Sequence, residues 1–91
     1  MIITKHSDWL AARAGDEMLM MSAHSDHYLG LNEVGARVWE LLEAPQDIGA
    51  LCAQLLCEFD VAPDVCRTDV EALLKELAKE GVVTLDPPPA A

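Results

Sequence analysis

Rings and positive charge are both scarce in this sequence. Only Trp9, Tyr28, Trp39 and Phe59 are aromatic, so a core must be assembled mainly from Leu, Val, Ile, Met and Ala. Those residues are plentiful: 52% of the chain is apolar, which excludes disorder as its overall state. Six Lys and Arg stand against 16 Asp and Glu, a net charge of −10. Such a surface repels phosphate backbones and anionic lipid, so neither nucleic acid nor membrane is an expected partner. It suits a basic or apolar partner, and it also serves solubility. Cys52, Cys57 and Cys66 make an odd count without a C-x-x-C spacing, so neither a disulfide framework nor a zinc knuckle is indicated. No apolar run nears the ~20 residues a bilayer requires. The start, MIITKHSDWL, lacks the charged opening and apolar centre of a signal peptide, and a cytoplasmic protein is expected. Gly30, Gly35 and Gly49 are isolated and none opens a helix after a strand as a phosphate loop does, so no nucleotide cofactor has a seat.

What is present fits one domain of 91 residues. Three short segments, 9–14, 17–22 and 27–31, are separated by tight polar breaks at Gly15-Asp16 and His24-Ser25-Asp26. Breaks this short join antiparallel neighbours, because a parallel pair needs a long crossover. A three-stranded antiparallel meander is expected. Its middle strand is the most apolar (Met18 to Met21), and its third strand, with Leu29 and Leu31 on one face, lies at an edge.

After Leu31 the periodicity becomes helical. Asn32 caps a first helix over 33–43, with Val34, Val38, Leu41 and Leu42 inward and Trp39 covering the sheet as a core residue. Pro45 stops it. Asp47 caps a second helix running to about Phe59, on which Cys52 and Cys57 fall on different faces. A loop through Asp60 and Pro63 leads to a third helix ending near Glu80, closed by Gly81, with Val70, Leu73, Leu74 and Leu77 as its stripe and Glu71 paired to Lys75. Val82 and Val83 pack the chain end. The expected fold is α+β and winged helix-turn-helix-like, β-β-β-α-α-α, with a domain over 1–85 and a disordered Pro-rich tail over 86–91.

Chemistry is sparse. His24-x-x-His27 around Asp26 offers too few ligands for a metal and reads as turn polarity. A pairing of Cys66 with His27 lacks a closed, water-excluding pocket in so small a chain, so no catalytic residue and no metal site is assigned. What remains is the strand edge, whose unpaired N–H and C=O groups accept an extended peptide as one more strand. If the third helix lies alongside, part of the Val70, Leu73 and Leu77 stripe forms an apolar trough beside Tyr28 and Gly30.

Tyr28-Leu29-Gly30-Leu31-Asn32, then Gly35, Trp39-Glu40-Leu41-Leu42, Asp69-Val70, Leu73-Leu74, Leu77 and Gly81-Val82-Val83 together resemble the PqqD-like family. These are the RiPP recognition elements, peptide chaperones of ribosomally synthesised and post-translationally modified peptide pathways. The resemblance runs from about Trp9 to Val83. It implies a leader peptide added antiparallel to the third strand and lying against the third helix, hence a binding set of His27, Tyr28, Leu29, Gly30, Leu31, Cys66, Asp69, Val70, Leu73 and Leu77. It further implies hand-over to modifying enzymes. In lasso-peptide clusters, which a free-standing short copy resembles most, these are a leader peptidase and a cyclase; in pyrroloquinoline quinone synthesis, a radical enzyme.

The function expected is therefore leader capture without catalysis and without a cofactor. A winged-helix DNA-binding regulator is the alternative, weakened by Asp64, Asp69, Glu71, Glu76 and Glu80 where a basic recognition helix is needed. A small thiol or metal enzyme is the third reading.

Overall fold

A computed structural model describes residues 1–87. Chain order is β1 (Ile2–Lys5), β2 (Trp9–Ala14), β3 (Glu17–Ser22), β4 (Tyr28–Leu31), α1 (Glu33–Leu41), β5 (Gln46–Asp47), α2 (Ile48–Glu58), α3 (Pro63–Lys79) and β6 (Val83–Asp86). The expected meander is present as the antiparallel sheet β2-β3-β4, with β3 central and β4 at an edge. Gly15 takes a φ of 65°, the pattern of a hairpin turn with glycine first, and Arg13 pairs with Met18 across it. Alternation then sorts the faces: Trp9, Met18, Met20 and Leu31 are buried against the helices, whereas Leu10, Leu19 and Tyr28 stand out on the opposite face.

Local chemistry sets the helix ends. The Asn32 side chain accepts a hydrogen bond from the Gly35 N–H at 2.9 Å, and Asp47 accepts from the Gly49 N–H at 2.9 Å. α3 opens on Pro63 at its first turn, where the missing N–H costs nothing, and Gly81 closes it with a φ of 79°. Cys66, Val70, Leu74 and Leu77 face α2 and β6 from α3; Val38, Trp39 and Leu42 face inward from α1 and its cap; Ile48, Leu51, Cys52 and Leu55 do so from α2. No helix of the described residues is long and apolar enough to cross a membrane.

Four expectations are corrected. A second antiparallel sheet, β5-β1-β6, ties the N-terminus to the chain end: Ile2 pairs with Asp86 and Ile3 with Leu85 on one side, Ile3 with Gln46 on the other. Ile3, Val83 and Leu85 from this sheet are all buried. Asp86 accordingly ends a strand instead of starting a tail, while residues 88–91 of the expected tail lie outside the described residues. The first helix stops at Leu41 with Leu42 as its cap, because Pro45 has no N–H for the Leu41 carbonyl, which accepts from the Gln46 side chain at 3.1 Å instead. Glu71 bonds Arg67 at 2.7 Å, one turn towards the N-terminus, and not Lys75. Of the two cations, four residues before and four after Glu71, the arginine makes the contact, through Nε.

Candidate functional site

The geometry of β4 follows from its register. Met21 lies opposite Tyr28 and Met20 opposite Leu29, and the Ser22 N–H donates to the His27 carbonyl at 3.1 Å. In an antiparallel ladder bonded and non-bonded pairs alternate, so His27, Leu29 and Leu31 direct their main-chain groups to β3. Tyr28 and Gly30 therefore direct theirs away from the sheet, and the β4 edge presents the N–H and C=O of both.

Beside the C-terminal end of this edge, α1 and α3 diverge around a hollow of about 210 Å³ lined by Asn32, Val34, Gly35, Asp69, Val70 and Leu73. It continues into a second, of about 250 Å³, walled by Val34, Leu55, Phe59, Asp60, Val61, Cys66, Asp69 and Val70. Asn32 and Gly35 form the end nearest the strand. A Cβ on Gly35 would come within 3.2 Å of the Leu31 Cβ, so glycine lets the first turn of α1 sit close over the end of β4. At the opposite end, the His27 Nδ1 lies 3.4 Å from the Glu80 carboxylate at the C-cap of α3.

The expected binding residues divide into two kinds. Tyr28, Gly30, Asp69 and the half-buried Leu29 and Leu73 offer surface to a ligand, and the exposed His27 stands at the end of the edge away from the hollow. Leu31, Val70 and Leu77 are 5%, 1% and 2% exposed: Val70 reaches the hollow wall, whereas Leu77 is packed into the core. Cys66 is buried but lines the second hollow. Its neighbour Cys52 is raised in pKa by burial first and by Cys66 second, which keeps that thiol protonated and unreactive. His24 and His27 turn to different carboxylates, Asp8 and Glu80.

Sequence reasoning missed Val34, Phe59, Asp60 and Val61, which bring the start of α1 and the α2–α3 loop into the site. Phe59 was expected only as the last member of the second helix's apolar stripe and proves to be the cap of α2; the remaining signal was Val61, an apolar residue in a loop with no stripe to join. A larger hollow of about 620 Å³ lies elsewhere, along Lys5, Arg37, Trp39, Glu40 and Glu43. Several of its charges are already engaged: Arg37 reaches Glu40 and Glu58, Arg13 reaches Glu40, and the Lys5 ammonium stands 4.1 Å above the Trp39 ring. Burial lowers the pKa of that lysine, with Glu43 opposing the shift. None of the expected binding residues lines it.

Compared with known proteins, residues 17–83 match the sequence profile of the family described as coenzyme PQQ synthesis protein D (PqqD). The chain belongs to the PqqD family. Its fold is shared with a structure of TbiB1 in complex with the TbiA(beta) leader peptide, at a TM-score of 0.78 and 24% identity, covering 88% of this chain and 93% of that one. It is shared also with lasso peptide synthetase B1 complexed with the leader peptide, at 0.75 and 20% identity over 91% and 98% of the two chains. At these identities the likeness to both structures is one of fold. No curated protein matches the sequence.

Proposed function

We propose that this PqqD-like protein is a cytoplasmic, non-catalytic RiPP recognition element. It binds the leader segment of a ribosomally synthesised precursor peptide by strand addition to β4 and delivers it to modifying enzymes, a leader peptidase and a cyclase in the lasso-peptide case. The observation that carries this reading is the free edge at Tyr28 and Gly30 lying next to the α1–α3 hollow. Main-chain hydrogen bonds along the edge supply affinity, and alternate side chains of the added strand drop into apolar space for selectivity. Two proteins of the same fold hold leader peptides, which supports the assignment of that ligand. Tethering the leader raises the local concentration of the attached core peptide at a partner enzyme and stabilises no transition state.

Titrating the fluorescent leader of the precursor encoded beside this protein tests the reading. Saturable binding in the nanomolar to micromolar range is expected, and a flat response at high micromolar concentration would overturn it. The DNA-binding alternative gains nothing from the geometry. On α3 the carboxylates of Asp64, Asp69, Glu71 and Glu76 outnumber Arg67, Lys75 and Lys79, and Arg67 is engaged by Glu71.

A further inference from the structure

Asp69 is the one ionisable residue that lines both parts of the α1–α3 hollow, and Asp60 stands on the rim of the second part. Everything else along these walls is apolar or uncharged: Asn32, Val34, Gly35, Leu55, Phe59, Val61, Cys66, Val70 and Leu73. Among the described residues neither carboxylate has an ion-pair partner, whereas Glu58 holds Arg37 and Glu71 holds Arg67. No Lys or Arg of the chain lines either hollow. Both carboxylates are exposed, so their pull on a cation is partly screened and salt-dependent.

We propose that Asp69, seconded by Asp60, reads a Lys or Arg of the leader that lies next to the apolar residue filling the hollow. This deepens the proposed function and rests on it: the ligand is a leader that is basic at one position beside its apolar anchor. Val34, Val70, Leu73 and Phe59 clasp the anchor and the aliphatic stem of the cation, while the charged head turns out to the Asp69 carboxylate. The overall charge of −10 favours approach of such a segment, and Asp69 fixes the position at which the charge must fall. Asp69 lies one helical turn from Leu73 on α3, so charge and apolar contact are presented on one face at fixed spacing.

The test measures the affinity of the fluorescent leader encoded with this protein, and of leaders in which each Lys or Arg is changed in turn to Gln. Each is titrated against the wild type, Asp69→Asn, Asp60→Asn and, as a control for net charge, Asp64→Asn, whose exposed carboxylate on the same helix lines neither hollow. Asp69→Asn is expected to weaken binding by about 3- to 10-fold at low salt, and less at high salt, as for a partly screened ion pair. Asp64→Asn should change little. One Lys or Arg substitution in the leader should produce the same loss on the wild type and no further loss on Asp69→Asn. Tight binding that is indifferent to Asp69→Asn, or tight binding of a leader without any Lys or Arg, overturns this inference and leaves leader capture standing. Failure of the wild type to bind any leader overturns both.

Discussion

Replacing Gly30 by proline would remove one main-chain donor from the free edge of β4 while leaving the β3–β4 ladder whole. The register makes this selective, since Leu29 and Leu31 bond to β3 and Gly30 does not. Proline is tolerated at edge positions where the N–H faces solvent, and Leu29 before it is already extended. A net main-chain hydrogen bond contributes about 0.5–1.5 kcal/mol, or roughly 2- to 12-fold in affinity. The pyrrolidine ring also fills the space the incoming strand needs, so a loss of about tenfold or more is expected. Gly30→Ala is the matched control: it keeps the donor, and its Cβ meets nothing within 4 Å. Amide hydrogen exchange on the unaltered protein gives an independent readout. Tyr28 and Gly30 should exchange rapidly in the free protein and slow by up to ~100-fold at a free leader concentration 100 times Kd, whereas Leu29 and Leu31 are protected throughout. If the leader binds tightly while the Tyr28 and Gly30 amides stay fast and the folded Gly30→Pro keeps full affinity, strand addition at β4 is wrong.

Stability offers further checks. Leu74 is fully buried on α3, and Leu74→Ala should cost about 2–5 kcal/mol in chemical denaturation; a cost below ~1 would mean that the α3 stripe is not core. Asn32→Ala removes the acceptor for the Gly35 N–H and should destabilise by about 0.5–2 kcal/mol, with leader affinity falling as well because the first turn of α1 borders the hollow. Glu58 is held below the ordinary carboxylate range chiefly by its hydrogen bond from Arg37 and next by that from Gln54. A carboxylate depressed in the folded state stabilises above its unfolded pKa, and that contribution disappears as pH falls through the lowered folded value. Glu58→Gln should therefore narrow the stability gap to wild type on acidification, and a gap constant from neutral pH to below the carboxylate range would contradict the pairing.

Capping was legible because its chemistry is local: Asn32, Asp47 and Gly81 act on groups within a few residues and stand where the sequence placed them. The meander was legible too, since the apolar run Met18 to Met21 marks the central strand and the two short breaks set both its partners. The β5-β1-β6 sheet was not. Its strands have two to four residues, too few for a period to show, and Ile2 pairs with Asp86 from the other end of the domain, with no local signal linking them. The same limit explains the site. Periodicity put Leu73 and Leu77 on one stripe, but the core follows Cys66, Val70, Leu74 and Leu77, leaving Leu73 half-buried beside Asp69 at the hollow. Phe59 was read as scaffold at the end of the second helix's stripe, and Val61 was invisible because it joins the site through a loop, whose trajectory carries no repeating signal.

An open strand edge invites pairing with a second copy as readily as with a ligand. β4 limits that risk by length, since only Tyr28 and Gly30 are free on a four-residue strand. Charge limits it further. Two copies bring −10 to −10, with Asp69 in the hollow at the C-terminal end of the edge, so edge-to-edge contact sets like charges together. A segment that is apolar and locally basic meets the same field with the opposite sign. The scarcity of positive charge in this sequence therefore does more than disfavour nucleic acid: it separates a peptide that should occupy the edge from the one peptide always present at equal concentration, the β4 strand of another copy.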